Sequence, residues 1–537
     1  MKKIALFGLS VLLLASCADL ETEPGGSTVT SAQLEEMSNT NPANMISSSV
    51  NAIFSSFKAY MPVTGNDAER HNDFGYPSIM MFTDNNGFDM VSSDNGYNWS
   101  GSELDYTDRV YTSNESSIVW NTFYQIIFAV NDVMPKLDPE STDPESKFYG
   151  GNAKAVRAFA YFYLAQLYQF NYADHKNSPC VPIITELNAD KVVDEGCARS
   201  TVAEVYEQIL SDLNSAIEDI TFAQSNRYSR NDRRYMDLAS VYGLRARVYL
   251  TMENWAAAAA DAQSAIENSD ALPSDLATAA RPAFMDIDEC NWMWGVLVDE
   301  TDDIVLSGIV NYISHLGSFN YGYCWYSGGR QINKKLFNYI PTTDVRKGWW
   351  IDEDCYSPNL TEDELYLMNA YVEYAPYTQC KFAPYNNELY TETNANDIPL
   401  MRIEEMYYIL AEAKAMNGDP TGGVEVLNNF VSTYRDPAYN CTLTDPAAIQ
   451  EEIWNQRRVE LWGEGLSWYD IMRLKKNVDR RGCGYPDDSA ADIFNITYGD
   501  NILLWRIPEA EIQANKLISD EDNNPNAPAP IAVEDVE

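Results

Sequence analysis

The stretch YGLRARVYLTMENWAAAAADAQSAIE, Tyr242–Glu267, contains two helical patterns separated by a short polar break. Ala246 lies in the first pattern, and Ala258 and Ala262 lie in the second. This spacing is typical of a tetratricopeptide hairpin, in which small side chains let two antiparallel helices approach closely. The stretch therefore predicts a helical hairpin, and an ordinary hairpin outside any repeat family is the alternative.

A second unit of the same kind occurs at MYYILAEAKAMNGDPTGGVEVLNNF, Met406–Phe430. Tyr407 and Leu410 precede a turn at Gly418–Pro420, and Leu427 follows that turn at helical spacing. Two units in matching register favour a repeat bundle over two unrelated hairpins. We predict a mainly α fold: a tetratricopeptide-like bundle of helical hairpins with a loop-rich, short-strand face that binds the ligand.

Helical periodicity is also strong in two segments of the N-terminal half, Gly150–Phe170 and Ser200–Ile220. The second segment opens with Thr201 and Glu204, which have the spacing of a capping box. Both segments are therefore predicted to be long helices of the same bundle.

Two regions of the chain lack this periodicity. Residues 62–117 contain many Asn, Asp, Gly and Ser residues among aromatic residues, a composition typical of long functional loops. In residues 272–396 we predict short strands and long loops. Trp292 and Trp294 alternate there as on a strand, so both side chains point to one face, which is either core or binding surface.

The N-terminal residues have the pattern of an export signal. Two lysines precede an apolar run, Ile4–Ala15, which is shorter than the about 20 residues that a membrane-spanning helix needs. Leu14–Cys17 has the pattern of a lipoprotein cleavage site, so we predict cleavage before Cys17 and lipidation of its thiol. An ordinary signal peptide with an incidental cysteine is the alternative.

The composition argues against several classes of protein. The 537-residue chain has 37 Lys and Arg against 80 Asp and Glu, and a net charge of −43 makes nucleic acid an unsuitable partner. His71, His175 and His315 lie far apart, and no nucleotide-binding or hydrolase motif occurs. We therefore expect no metal ion, no cofactor and no catalytic residue.

The cysteines are spaced singly, without a Cys-x-x-Cys pair. We interpret those after Cys17 as free thiols, because a chain of this size does not need disulfides for stability. A disulfide between Cys180 and Cys197 is the alternative in an exported protein.

Two stretches combine aromatic residues with amide and charged residues, the mixture that suits a ligand with CH faces and hydroxyl groups. They are Asp94–Trp99 and Phe319–Tyr326, and Arg330 follows the second. Glycine and asparagine neighbours favour exposure of Trp99 and Trp325, and burial as loop anchors is the alternative. The candidate ligand-binding residues are Tyr97, Asn98, Trp99, Tyr321, Tyr323, Trp325, Arg330 and Trp294.

Four segments of the chain are informative when taken in order. They are GNAKAVRAFAYFYLAQLYQ (151–169) with the following Val181–Ile183, ARSTVAEVYEQILSDLNSAI (198–217), Asp397–Glu404 running into Ala411–Ala413, and QRRVELWGEGLSWYDIMRLK (456–475). Together they resemble the SusD/RagB family of surface lipoproteins, and the resemblance covers nearly the whole chain. Two residues depart from the family's pattern: Gln456 stands where Glu is usual, and Ser467 stands where Arg is frequent.

The resemblance implies a binding protein that captures oligosaccharides at the cell surface and delivers them to a SusC-like TonB-dependent outer-membrane transporter. The acidic residues Asp19–Glu23 resemble the signal that sends such lipoproteins to the outer face of the outer membrane. An oligopeptide ligand is one alternative, and a surface glycoside hydrolase is an alternative of another class. We interpret the charged residues of the last segment as structural ion pairs between packed helices: Arg457, Glu460, Glu464, Asp470 and Arg473.

We expect the chain to be organised in five parts. These are a signal peptide at 1–16, a lipidated flexible tether at 17–45, an N-terminal helical region at 46–271 with binding loops at 62–117, a loop-rich binding region at 272–396, and a C-terminal helical region at 397–537.

Overall fold

The computed structural model describes residues 42–61, 71–93, 95–97 and 99–536. Within these ranges the molecule is mainly helical, which confirms the predicted fold class. The long helices are α1 (Pro42–Ser56), α2 (Tyr76–Asn86), α3 (Asn114–Val133), α4 (Pro144–Tyr168), α5 (Val202–Ser225), α6 (Leu238–Thr251), α7 (Trp255–Asn268), α8 (Ile403–Met416), α9 (Pro420–Tyr434) and α10 (Pro446–Glu460).

Short helices and strands complete the molecule. The short α-helices are Gly101–Leu104, Tyr172–His175, Ala189–Glu195, Leu276–Ala279, Asp303–Leu306, Tyr312–Leu316, Tyr323–Tyr326, Lys334–Tyr339, Glu362–Tyr366, Ser467–Arg473 and Glu509–Ala514. The strands form antiparallel pairs: β1 (Met90–Val91) with β3 (Gln331–Ile332), β2 (Trp292–Val296) with β4 (Ile398–Arg402), and β5 (Val478–Asp479) with β6 (Asn495–Ile496).

Both predicted hairpins are present. Helices α6 and α7 pack against each other, and Ala246, Ala258 and Ala262 are fully buried between them and their neighbours. Helices α8 and α9 form the second hairpin, whose turn includes Gly418 at a φ of 88°. Helix α7 also packs against α8, so two hairpins that are distant in sequence stack as neighbouring repeats.

Helix α4 lies at the centre of the N-terminal half. It packs against α1, α3 and α5, and most of its residues are buried. Gly151 permits the close approach of α5, because a Cβ atom at this position would lie 2.8 Å from Ile220 Cγ1. The predicted capping box at the start of α5 is confirmed: Thr201 and Glu204 each bond the other's backbone N–H group.

The loop prediction for residues 62–117 is wrong in part. Helix α2 lies inside this region, and all of its residues are buried. Its polar C-terminal end suggested a loop, but buried Arg480 donates hydrogen bonds to the backbone carbonyls of Asn85 (2.8 Å), Asn86 (3.3 Å) and Gly87 (3.0 Å). A side chain from a distant segment therefore satisfies the carbonyl groups that a helix end leaves unpaired.

The prediction for residues 272–396 is confirmed for the strand at Trp292–Val296, which pairs with β4 through an irregular register. Several short helices occur where only loops and strands were expected. Helices of four to six residues give little sequence periodicity, which explains why they were missed.

The eight cysteines from Cys180 to Cys483 are free thiols, and Cys180 is buried whereas Cys197 is partly exposed. The structure therefore favours free thiols over the alternative disulfide between these two residues. Among the helices of the described ranges, none combines the length and the apolar character needed to cross a membrane.

Candidate functional site

The charged residues of the last family-like segment lie in the protein interior. Glu460 is fully buried and contacts three guanidinium groups: Arg402 at 3.1 Å, Arg435 at 2.7 Å and Arg346 at 3.2 Å. Burial alone would raise the pKa of Glu460, but these arginines hold it well below its usual value. Glu464 extends this buried lattice, because it contacts Arg402 at 2.7 Å as well.

A second set of buried pairs continues along the same segment. Asp470 bonds both Arg457 and Arg473 at 2.7 Å, and Arg473 also bonds Glu412 at 2.6 Å. Against the effect of burial, the two arginines keep the pKa of Asp470 below its usual value. These contacts confirm that the charged residues of 456–475 are structural pairs between packed elements.

The two departures from the family pattern have partners of their own. Gln456 accepts a hydrogen bond from Arg346 at 2.5 Å, and Ser467 donates one to Asp89 at 2.6 Å. Neutral side chains at these positions therefore remain part of the buried polar network.

Aromatic rings from four separate segments meet on one exposed face of the molecule. We call this face the aromatic surface and define it as Tyr97, Trp99, Tyr321, Trp325, Tyr326, Tyr371 and Tyr390. Five of these side chains are exposed, with relative accessibilities of 57% for Tyr97, 40% for Trp99, 50% for Tyr326, 58% for Tyr371 and 37% for Tyr390.

Trp99 is held by two rings beneath it. Its indole stacks on His71 with ring centroids 4.1 Å apart and planes 4° apart, and it meets the edge of Tyr323 at 6.1 Å. The Tyr323 hydroxyl and His71 Nδ1 are hydrogen-bonded to each other. Trp99 has a φ of 53°, which is costly for a bulky residue and is seen where surrounding contacts impose it.

The middle of the aromatic surface is a cluster of tyrosines. The hydroxyl groups of Tyr321 and Tyr326 are 3.1 Å apart, and the ring of Tyr97 lies 5.8 Å from that of Tyr326. Asn95 fixes this arrangement, because its side chain donates to the Tyr326 carbonyl and accepts from the Tyr97 N–H group, both at 3.0 Å. Ring edges, hydroxyl groups and an amide are thus close together.

The far end of the aromatic surface contains Trp325, Tyr371 and Tyr390. Trp325 lies 5.6 Å from Tyr321 and 5.7 Å from Tyr371, and Tyr371 lies 4.9 Å from Tyr390. Trp325 donates its indole N–H to the Ser318 carbonyl at 3.2 Å, so its orientation is fixed. The rings therefore continue without a break from Tyr97 to Tyr390.

A tight turn behind the cluster positions these rings. Gly329 has a φ of 92°, and a Cβ atom there would lie 2.6 Å from the Thr378 side chain, so only glycine fits. The next residue, Arg330, is fully buried and donates to the His315 carbonyl at 3.0 Å and to Ser92 Oγ at 2.6 Å. Burial lowers the pKa of Arg330 to about 10.

The structure contradicts two of the predicted site residues. Trp294 is fully buried on β2 and donates its indole N–H to the Arg234 carbonyl at 3.0 Å, so it belongs to the core. Arg330 is likewise fully buried. Its guanidinium bonds the His315 carbonyl, so it is not available to a ligand. Cys17 and Asn98 lie outside the described residues.

The other predicted residues are brought together. Tyr97, Trp99, Tyr321 and Trp325 lie on the aromatic surface, and Tyr323 lies beneath Trp99 as a mostly buried support. Sequence reasoning missed His71, Tyr371 and Tyr390, and it included Tyr326 in a candidate stretch without naming it as a candidate residue. For Tyr371 and Tyr390, the signal available in the sequence was a series of tyrosines among Asp, Glu and Asn residues.

A concavity of about 440 Å³ lies apart from the aromatic surface, beside helix α3. Phe128 is half-exposed in it, above the mostly buried rings of Trp120 and Tyr124. Its aromatic lining is smaller than the aromatic surface. In the part of the chain that the structure describes, no group of three or more His, Cys, Asp or Glu side chains is placed to hold a metal ion.

Comparison with known proteins identifies the family. A family model described as starch-binding associating with outer membrane matches residues 62–250, and a model described as the SusD family matches residues 342–526. The chain belongs to the SusD/RagB family. The buried charge pairs at 402–473 lie within the second of these matches.

Relatives of this SusD-family chain are similar over most of their length. SusD-like protein P38 of Formosa agariphila is 24% identical over 406 residues, which cover 69% of this chain and 74% of that protein. SusD-like protein P2 of the same organism is 25% identical over 395 residues, which cover 67% and 72%.

Solved structures show the same fold. A SusD-like carbohydrate binding protein from Bacteroides vulgatus aligns with a TM-score of 0.70 at 23% identity, covering 89% of this SusD-family chain and 98% of its own. A SusD superfamily protein from Bacteroides thetaiotaomicron aligns with a TM-score of 0.70 at 21% identity, covering 90% and 100%.

Proposed function

We propose that this SusD-family protein is a lipid-anchored protein of the outer membrane that captures oligosaccharides at the cell surface. In this proposal it delivers them to a SusC-like TonB-dependent transporter and does not change them chemically. The relatives support this proposal, since one matching family model is described as starch-binding and one structure with the same fold is named a carbohydrate binding protein.

The observation that carries the binding role is the continuous series of rings from Tyr97 to Tyr390 on the aromatic surface, with Trp99 two residues from Tyr97. Sugar rings present CH faces that pack on aromatic rings and hydroxyl groups that bond to polar groups beside them. The aromatic surface supplies rings and polar groups together. Consecutive ring centroids from Tyr97 to Tyr371 are 5.6–6.0 Å apart, and the hydroxyl groups of Tyr321 and Tyr326 belong to rings in the middle of this series. An elongated ligand can contact several of these rings at once.

The binding role is tested with the purified chain and a panel of glycans, by retardation in glycan-containing gels and by titration calorimetry. We expect binding to at least one glycan and no shortening of that glycan after long incubation. Release of smaller saccharides would instead favour a surface glycoside hydrolase. Binding of oligopeptides, with no glycan bound, would favour the peptide-binding alternative.

The proposed anchor is Cys17, followed by a tether that ends where helix α1 begins at Pro42, so the last four residues of the expected tether, 17–45, belong to that helix. Attached acyl chains hold a protein stably on a membrane when more than one signal acts together. We expect Cys17→Ser to abolish labelling by fatty acid and to release the protein from cells. Unchanged labelling of the Cys17→Ser protein would contradict the proposed lipidation site.

The proposed partner is tested by purification from native membranes in mild detergent. We expect the protein to co-purify with a TonB-dependent barrel. Its aromatic surface then faces the barrel lumen and its helical side forms part of the interface, as expected of a lid that delivers ligand inward. Recovery of the protein always alone, from cells that also make the transporter, would contradict this part of the proposal.

A further inference from the structure

The segments that form and support the aromatic surface are almost free of basic residues. These segments are 71–76, 90–100, 316–331, 360–376 and 384–397. They contain one Lys or Arg residue in total, Arg330, and its guanidinium is fully buried. Within the described ranges, these segments therefore present no basic side chain to a ligand that lies on the rings.

Carboxylates, in contrast, are close to the rings. Glu373 follows Tyr371 by two residues and is exposed. Burial raises the pKa of the Tyr390 phenol, and Tyr366, Tyr371 and then Asp363 act in the same direction. Both groups belong to the segment that ends the aromatic surface on one side.

Further acids border the middle and the opposite end. Glu392 is exposed on the segment whose Thr391 carbonyl accepts the Tyr321 N–H group at 2.9 Å. Asp488 accepts a hydrogen bond from Ser93, close in sequence to Asn95 and Tyr97. Acidic residues thus occur on the segments that contain the rings at 371–390, and one further acidic residue, Asp488, contacts the segment of Tyr97.

Residues 62–70 lie outside the described residues, so only the charge of their sequence bears on this balance. That stretch precedes His71 and contains Asp67, Glu69 and Arg70, so it adds more negative than positive charge. The whole chain has a net charge of −43, which gives the long-range field the same sign as the local one.

Proteins that bind sulfate, phosphate or carboxylate groups use arginine forks, lysines or the N-termini of helices. The helix Glu362–Tyr366, which leads towards Tyr371, has three acidic residues in its first turn, and these oppose an anion there. One of them, Glu364, is paired with Arg281 at 2.6 Å, so this arginine already has a carboxylate partner. An anionic glycan on this face would meet repulsion without a compensating ion pair.

We infer that the ligand captured on the aromatic surface is an uncharged glycan, and that sulfated glycans and uronic acid polymers are rejected. This inference rests on the proposed function and narrows its substrate class. Specificity arises here from the repulsion of the wrong ligands as well as from the packing of the right one.

The test compares neutral polysaccharides, such as glucans, galactomannan and xylan, with alginate, polygalacturonate and chondroitin sulfate. The full chain is analysed by gel retardation and calorimetry at roughly 50 mM and roughly 500 mM NaCl, which shortens the screening length about threefold. We expect binding to a neutral glycan with an affinity that changes less than about twofold with salt, because no ion pair is screened. Anionic glycans should not be retained at low salt.

A charge-reversed variant sharpens the test. The change Asp363→Lys, Glu373→Lys and Glu392→Lys should give retention on anionic glycans at low salt and lose it at high salt. The matched control carries the same charge change far from the surface and should gain much less. It consists of Glu207→Lys and Glu218→Lys on helix α5 and Glu267→Lys on helix α7.

The outcomes separate the two proposals. Binding of the unaltered protein to anionic glycans, with no neutral glycan bound, overturns the inference and leaves the proposed glycan capture intact. Salt-sensitive binding to cationic polymers such as chitosan, again with no neutral glycan bound, also overturns the inference. Binding of peptides and of no glycan overturns the proposed function itself.

Discussion

The buried lattice around Glu460 and the aromatic surface around Tyr326 are the two most concentrated groups of polar and aromatic side chains described above. In the lattice, charged groups are enclosed and each finds an opposite charge, as with Glu460 between Arg402 and Arg435. On the aromatic surface, large rings are exposed and pack mainly on one another. The charged groups of the lattice stabilise the fold, whereas the rings and hydroxyl groups of the aromatic surface remain available to a ligand.

This difference shows where a recognisable motif acts. The family-like segment 456–475 is conspicuous because buried ion pairs require particular charges at particular spacings. The aromatic surface requires only rings at suitable positions, and those rings come from four segments with little pattern of their own. The residues that identify the family therefore stabilise the helical fold, and the residues proposed to recognise the ligand lie on the aromatic surface.

The largest expected effect is loss of stability when the lattice is broken. Glu460→Gln leaves three buried guanidinium groups without their shared carboxylate, which should lower the free energy of unfolding by about 3–5 kcal/mol. Urea unfolding followed by circular dichroism measures this change. Glu451→Gln, which removes an exposed pair with Lys476, is the control and should cost less than about 1 kcal/mol. Equal losses of unfolding free energy in the two variants would show that the buried pairs of Glu460 stabilise the fold no more than an exposed ion pair does.

A buried acid next to the lattice provides the second prediction. Asp84 accepts a hydrogen bond from the Gly465 N–H group at 3.0 Å, and burial raises its pKa to about 8, with Asp89 and Glu464 acting in the same direction. In the unfolded chain this carboxyl titrates near its ordinary pKa of about 4. Between these values the folded state binds more protons than the unfolded state, so rising pH lowers stability through this group.

Asp84→Asn removes this titration and keeps an oxygen that can accept from Gly465. The stability of the variant relative to the unaltered protein should therefore rise by about 2 kcal/mol between roughly pH 5 and roughly pH 7. Denaturant unfolding across that pH range measures the difference. Asp190→Asn, at an exposed position, is the matched control for the loss of one carboxylate. A parallel pH dependence for Asp84→Asn and the unaltered protein would show that this carboxyl is ionised in the folded state.

The third prediction tests the exposed side of the comparison. Trp99→Ala removes a ring that stacks on His71 and should weaken glycan binding by about 1–2 kcal/mol, or roughly fivefold to thirtyfold. Calorimetry measures the affinity, and the unfolding midpoint should change little because Trp99 is exposed. Phe128→Ala, in the concavity beside α3, is the control and should retain full affinity. Loss of affinity only in Phe128→Ala would move the binding site to that concavity.

The smallest expected effect concerns one hydroxyl group. Tyr326→Phe keeps the ring and removes the oxygen that lies 3.1 Å from the Tyr321 hydroxyl. We expect a loss of about 0.5–1 kcal/mol in binding, or roughly twofold to fivefold, because one hydrogen bond to a sugar hydroxyl is lost. Calorimetry at matched temperature measures it. A loss as large as that of Trp99→Ala would indicate that polar contacts, rather than ring packing, dominate recognition.

Much of the helical fold could be predicted from the sequence, because the patterns that indicate helices, caps and ion pairs involve residues close together in the chain. Apolar and small residues at helical spacing predicted both hairpins, and Thr201 with Glu204 predicted a capping box that is present. The charged residues of 456–475 were interpreted correctly as structural pairs. Local spacing is sufficient for such features, since helix formation and capping involve residues only three or four positions apart.

The candidate site depended on contacts that no local pattern contains. Tyr97 and Tyr326 are distant in sequence and meet only because the chain folds, and Tyr371 and Tyr390 join them from a third and a fourth segment. Arg330 looked like a ligand contact in the sequence, but the tertiary structure encloses it behind Gly329. The sequence by itself therefore determined the helices of the two hairpins, the long helices α4 and α5, and the charged residues of 456–475 that pair, but not α2 or the short helices of 272–396. Only the tertiary structure decided which aromatic rings are exposed, because exposure is set by what the rest of the chain covers.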